Sequence, residues 1–255
     1  MLSALIVNAD DWGYDPETTD RTLDCLQLGA VSSVSAMVFM ADSERAAGIA
    51  REKGVDAGLH LNLSARFTGP NVSAALVHHQ NKVAAYLTRH RFARLFYHPA
   101  LSKSFAYTVQ SQCEEYTRLY GVEPRRVDGH HHLHLSANVL AGHLLRMGIQ
   151  VRRNFSFQPR EKSIWNRYYR GIVDQFLARR HSLTDYLFAL PPWEPQGRLE
   201  RIGWLARKAS VEVETHPVRR EEYQFLTGGE VFRRLPGIPI VRGFPLLGDR
   251  FRFTR

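Results

Sequence analysis

Cysteine is scarce. Cys25 and Cys113 are the two in 255 residues, and neither lies in a Cys-x-x-Cys pair or beside a candidate catalytic partner, so both read as small buried apolar residues. A reducing cytoplasm is the simplest expected location. Long apolar runs are missing as well: no stretch approaches the length of a membrane span, and the N-terminal run Leu2 to Val7 is too short and lacks the basic residues of a signal peptide. No Gly-x-Gly-x-x-Gly follows any candidate strand, which excludes a Rossmann dinucleotide site. There is no internal repeat and no low-complexity linker.

Acidic residues are outnumbered. The 25 Asp and Glu face 34 Lys and Arg, giving a net charge of +9. A basic balance suits nucleic acid, an anionic membrane surface or an acidic substrate and does not choose among them. The short arginine clusters, such as Arg125-Arg126, Arg152-Arg153 and Arg179-Arg180, come with no nucleic-acid motif, so a solvated surface is expected and nucleic acid is not. Peripheral contact with a membrane and a homodimer both stay open. With 44% hydrophobic and 23% charged residues, the composition is that of a folded globular chain, and 255 residues suit one domain over 1–255.

Alternation of strand and helix signals organises the chain. Leu2 to Val7 reads as a buried first strand that delivers Asn8-Ala9-Asp10-Asp11-Trp12-Gly13 at its tip, and Pro16 opens a helix running to Leu28. Ser33 to Phe39 and Ala57 to Leu63 follow as strands, with a helix between them over Asp42 to Lys53. The stretch 71–104 mixes helical signals with histidines and arginines and is expected to be an insertion or lid. Helices are then expected at Phe105 to Tyr120, Ala137 to Met147, Ile164 to Arg180, Leu199 to Lys208 and Glu221 to Phe232. Strands are expected at Arg126 to Gly129, Gln150 to Asn154 and Val211 to Thr215. A loop around Pro191-Pro192-Trp193 and an apolar stretch at Ile238 to Phe244 complete the reading. Five or six βα units in one chain of this size predict a distorted TIM-like (β/α) barrel.

Four polar clusters stand at the ends of four of these strands: Asn8 to Asp11, Gly58 to Asn62, Asp128 to His134, and Glu212 to Pro217. In a parallel α/β fold the C-terminal strand ends converge, so residues far apart in sequence meet in one site. Histidines with one carboxylate leave coordination positions open for water and substrate, as a catalytic metal requires. Of the adjacent Asp10 and Asp11, pointing different ways, one can bind metal while the other serves a water as general base. His60 alone, in an apolar run, would read as a satisfied core residue. Were the histidine cluster extended, His130, His132 and His134 would share a face and His131 would point away. On the last strand, Glu212, Glu214 and His216 share a face, which suits His216 to protonate a leaving amine with either glutamate orienting it.

Taken together, Asn8-Ala9-Asp10-Asp11-Trp12-Gly13, Gly58-Leu59-His60-Leu61, Asp128-Gly129-His130-His131-His132-Leu133-His134 and Thr215-His216-Pro217 resemble the YdjC-like carbohydrate deacetylase family, whose motifs occur in this order. The resemblance implies a distorted barrel, a divalent metal on Asp11, His60 and His130, Asp10 as base and His216 as acid. It also puts Arg152 where a substrate-contacting arginine would sit. Trp12 stands where the family usually has Phe, and Gly129 where Ser is usual. The second departure lies beside the metal ligands and weakens inference about the substrate.

The expected activity is therefore metal-dependent removal of an N-acetyl group from an acetamido sugar, whether oligosaccharide or glycolipid, with release of acetate. Zinc is favoured by two imidazoles, with magnesium, manganese or cobalt as alternatives. Two rivals are a non-haem iron oxygenase, since two histidines and a carboxylate also form a facial iron site, and a catalytically inactive sugar-binding protein. Trp165, Trp193 and Trp204 are candidates to line a sugar cleft, to meet an anionic carrier, or simply to pack.

Overall fold

The computed structural model describes residues 3–90, 92–158, 161–190 and 197–241. The loop at Pro191 to Trp193 and the end of the stretch Ile238 to Phe244 lie outside them. Among the described residues seven strands form one sheet: β1 (Ala4–Trp12), β2 (Ser33–Ala36), β3 (Ala57–Leu61), β4 (Arg126–Gly129), β5 (Gln150–Val151), β6 (Tyr186–Ala189) and β7 (Ser210–Thr215). Their spatial order is β5-β4-β3-β2-β1-β7-β6, and every pairing is parallel. The two edges nearly meet: Gln150 makes a parallel bridge to Ser182, and Ser156 N–H donates to the Leu187 carbonyl at 2.8 Å. The result is the expected distorted (β/α) barrel, with β6 a strand that the sequence reading passed over.

Helices cover the outside: α1 (Pro16–Gln27), α2 (Ser43–Lys53), α3 (Ala74–Arg89), α4 (Ser102–Tyr120), α5 (Ala137–Ala141), α6 (Ile164–Ala178), α7 (Arg198–Ala206), α8 (Arg220–Thr227) and α9 (Glu230–Arg234). Local chemistry fixes their ends. Asp15 caps α1 by accepting from Thr18 N–H at 2.8 Å, with Pro16 at the first helical position. Gly54 ends α2 in the left-handed conformation at φ 62°. The stretch 71–104 holds the full helix α3, which packs on α4, followed by two short 3-10 turns. Two expected helices differ: the one from Ala137 stops at Ala141, and Gly228-Gly229 divides the last into α8 and α9.

The strands sort their side chains by alternation. Leu5, Val7 and Ala9 of β1, with Val34, Leu59, Val127, Val211 and Val213, belong to one buried apolar cluster that includes the core faces of the helices. Alternate positions are polar and equally buried: Asn8, Ser33, Ser35, Arg126 and Asp128 bond to one another inside the barrel, Glu212 bonds to Arg152, and each of the six is no more than 5% exposed. Gly58 makes room for this interior, because a Cβ there would lie 2.7 Å from the Arg126 guanidinium carbon. Burying so many polar groups is tolerable only because they satisfy each other.

Candidate metal centre and its ionic support

All four motif clusters meet at the C-terminal end of the sheet. At the end of β1 the strand bulges between Ala9 and Trp12, and Asp11 adopts a left-handed φ of 65°. This kink turns both aspartates toward one histidine instead of opposite ways. His60 Nε2 lies 3.3 Å from Asp11 Oδ1 and 4.0 Å from Asp10 Oδ2. His130 Nδ1 lies 2.9 Å from the same Asp11 oxygen. Asp11, His60 and His130 each offer a donor atom within 4.8 Å of the others, as a metal ion requires.

The support behind these donors fits a divalent cation. His60 Nδ1–H donates to Asp128 Oδ1 at 2.7 Å, which fixes the ring and leaves Nε2 facing Asp11. Asp10, Asp11, Asp128, Glu212 and Glu214 outnumber the guanidinium groups of Arg126 and Arg152, so the interior carries an excess of negative charge that a cation would offset. Titration follows the same field. Burial opposes ionisation of Asp11, but hydrogen bonds from His130 and His60 hold it well below the usual carboxylate range. Burial likewise opposes charge on His60, yet Asp10 and Asp128 raise it well above the ordinary imidazole value. The position is one where positive charge is stabilised.

Asp10 sits beside this centre in a rigid cradle. Arg152 grips it with both arms, Nη1 to Oδ2 at 2.6 Å and Nη2 to Oδ1 at 2.7 Å, and Asn8 Nδ2 donates to Oδ1 at 2.8 Å. Arg152 is 2% exposed and also meets Glu212 at 2.7 Å, Asp128 at 3.0 Å and Glu214 at 3.3 Å. Its guanidinium is therefore enclosed by four carboxylates of the barrel interior.

Donor atoms of Asp10, Glu214 and His216 also lie within 4.8 Å of one another. The backbone N–H of His216 and the Thr215 hydroxyl both donate to Glu222 at 2.7 Å, so a buried carboxylate of α8 pins the turn that presents the imidazole. Of the two candidate orienting glutamates, Glu214 is the one near His216, while Glu212 points to Arg152.

The histidine cluster is not extended. Short helical turns meet there at a kink in which His131 and His132 are left-handed, with φ of 55° and 57°. The four side chains therefore reach different polar partners, although the His130 and His131 rings stay 4.0 Å apart. His130 faces Asp11, His131 lies 3.3 Å from the Ser64 hydroxyl, His132 meets Glu214 at 3.1 Å, and His134 donates from Nε2 to the Arg152 carbonyl at 2.9 Å. Burial pushes the His134 imidazole down to about 3, so it is neutral. Gly129 lies against it: a Cβ would sit 3.1 Å from His134 Nδ1. Asn8, Glu222, His132 and His134 are contributors to which the sequence reading gave no separate role. The polar-apolar-polar spelling of Asn8-Ala9-Asp10 and Arg126-Val127-Asp128 was the available signal.

Fold and site together define an α/β-barrel protein with a carboxylate–imidazole centre fit for a divalent metal. The family model described as YdjC-like protein matches residues 4–235, and the chain belongs to the YdjC-like family. Among curated relatives, a "Carbohydrate deacetylase" of Mus musculus is 30% identical over 144 residues, which are 53% of this chain and 44% of that one. A "Chitooligosaccharide deacetylase" of Serratia marcescens is 30% identical over 142 residues, 54% of this chain and 53% of that one. The chain thus spans about half the length of the curated relatives it matches. A solved structure from Enterococcus faecalis, described as a candidate cellobiose-phosphate cleavage protein, shares the fold with a TM-score of 0.62 at 18% identity, covering 94% of this chain and 97% of that one. Among the described residues no helix is long and apolar enough to cross a membrane.

Proposed function

We propose that this protein is a divalent-metal-dependent hydrolase that removes the acetyl group from an acetamido sugar, releasing acetate and a free amine. The observation that carries this reading is that Asp10 adjoins two sets: it lies 4.0 Å from His60 of the donors Asp11, His60 and His130, and within 4.8 Å of Glu214 and His216. The names of the relatives, carbohydrate and chitooligosaccharide deacetylase, support the same chemistry.

Asp11, His60 and His130 would hold the ion, with zinc preferred for two imidazoles. When bound, a cation of this kind polarises an acyl carbonyl and acidifies water. Asp10, fixed by Arg152 and Asn8, takes the proton of the attacking water as that water adds to the acetyl carbon. His216, held by the Glu222 turn and accompanied by Glu214, gives a proton to the leaving nitrogen as the C–N bond breaks. Arg152 acts through Asp10, not on the sugar.

Acetate release from a panel of N-acetylated oligosaccharides, glycolipids and nucleotide sugars by metal-loaded protein tests the reading. Asp10→Asn is expected to lower kcat by roughly 10²–10⁴-fold, the range for loss of a general base, while metal content stays unchanged. No acetate from any substrate of the panel would remove the proposal.

A further inference from the structure

Helix α6 is apolar on a side that the core does not use. Val173 and Leu177 face the interior, yet Ile164, Trp165, Tyr168 and Ile172 are 72%, 78%, 66% and 49% exposed. With Tyr169 they recur at helical spacing and form one continuous outer stripe. An exposed apolar patch of this kind is unusual for a surface helix and marks a docking face.

Cations surround the stripe. Arg94, on a 3-10 turn between α3 and α4, is close enough to Arg170 and Tyr169 to act on both their titrations. Arg170 and Lys162 lie over the Phe157 ring at 5.0 and 5.5 Å. None of these three cations is in an ion pair among those found for the described residues, unlike Arg21, Arg45, Arg118 and Arg146, each of which reaches a carboxylate. The net charge of +9 points the same way.

The geometry points to α6 as a docking face for an anionic lipid bilayer, with Ile164, Trp165 and Tyr168 entering the interface and Arg94, Lys162 and Arg170 meeting headgroups. Charge chooses this occupant. Two copies of the chain related by a two-fold axis would bring the same arginines together, whereas an anionic surface complements them. Isoleucines beside the aromatic rings favour hydrocarbon over nucleic-acid bases, which need stacking platforms alone. Because α6 follows β5, its first turn lies at the end of the barrel that carries the candidate metal centre, and Phe155 links the two by packing 4.6 Å from His132.

Flotation of the full chain with phosphatidylcholine vesicles, with and without phosphatidylglycerol, is the test. The protein is expected to float with the anionic vesicles, to stay behind with the neutral ones, and to detach as salt is raised. Arg94→Ser and Lys162→Ser are each expected to weaken binding about fivefold, the factor for ~1 kcal/mol per basic residue near an anionic surface. Ile164→Ser combined with Trp165→Ser is expected to weaken it more than about tenfold, through lost apolar burial, with an unchanged circular dichroism melt. Failure to float with anionic vesicles overturns the proposal, as does full binding by the double variant. A dimer in light scattering that the double variant dissolves, or single-stranded RNA binding without vesicle binding, would assign the face to those partners instead.

Discussion

Arg152 and Arg170 belong to neighbouring stretches of chain but live in opposite surroundings. Arg152 is enclosed by Asp10, Asp128, Glu212 and Glu214 and is 2% exposed. Arg170 faces another arginine, Arg94, and burial together with that neighbour lowers it below the ordinary guanidinium value. A cation deep in a protein persists only where carboxylates and hydrogen bonds replace water. Among the described residues Arg170 has only neutral partners, donating to Asn166 at 2.8 Å and Asn154 at 3.3 Å and lying over Phe157, so its charge is not neutralised by a carboxylate ion pair. The barrel interior is thus a closed ionic lattice, while the α6 face is an open one.

Breaking the closed lattice should cost most. Arg152→Met leaves Asp10 and its fellow carboxylates buried without their main counter-charge, and a loss of about 3–5 kcal/mol in urea unfolding is expected, as for other broken buried ion pairs. A variant that unfolds like the parent would mean that water or another cation already satisfies those carboxylates.

Acid should open the same lattice. His134 is neutral when folded, with its imidazole pushed down to about 3, whereas the unfolded chain titrates near the ordinary value of about 6.5. The unfolded state therefore binds the extra proton between these values. The stabilisation is fully present above about pH 6.5 and is lost as pH falls toward 3. Against the cost of burial, Glu214 is held down at about 2 by its neighbours His132 and Arg152, so it adds a loss that begins as pH falls through the usual carboxylate value of about 4.3 and is complete near 2. Urea midpoints are expected to fall between pH 6.5 and 5 in the parent and to be flatter in His134→Asn.

The smallest effect belongs to the open face. Trp165→Ser alone should shift stability by less than about 0.5 kcal/mol, as for a surface position without core contacts. A larger loss would show that the stripe already packs within the chain and would dissolve the contrast.

Much of this was legible in the residues. Alternating strand and helix signals forecast a barrel, and the four motifs fell at strand ends because parallel strands place their C-termini on one face. Strand β6 was missed because Tyr186–Ala189 is a short apolar run between a helix and a proline-rich loop, with nothing to separate it from core. The filled interior was not legible for a different reason. Polar-apolar alternation, as in Glu212-Val213-Glu214, is also the pattern of a strand with one wet face, and only barrel closure buries that face and fills it with ions.

Sequence by itself singled out the residues to which the proposed chemistry is assigned: the family motifs, Asp10 and Asp11 in tandem, the run of histidines and His216. Folding alone decided how they are used. A left-handed Asp11 brings two aspartates to one imidazole, a left-handed kink at His131 and His132 gives four histidines different polar partners, and Arg152 is drawn inside to hold Asp10. The physical reason is that side-chain identity is local, whereas direction, burial and partner depend on backbone strain and on strands far away in the chain, which no spacing rule encodes.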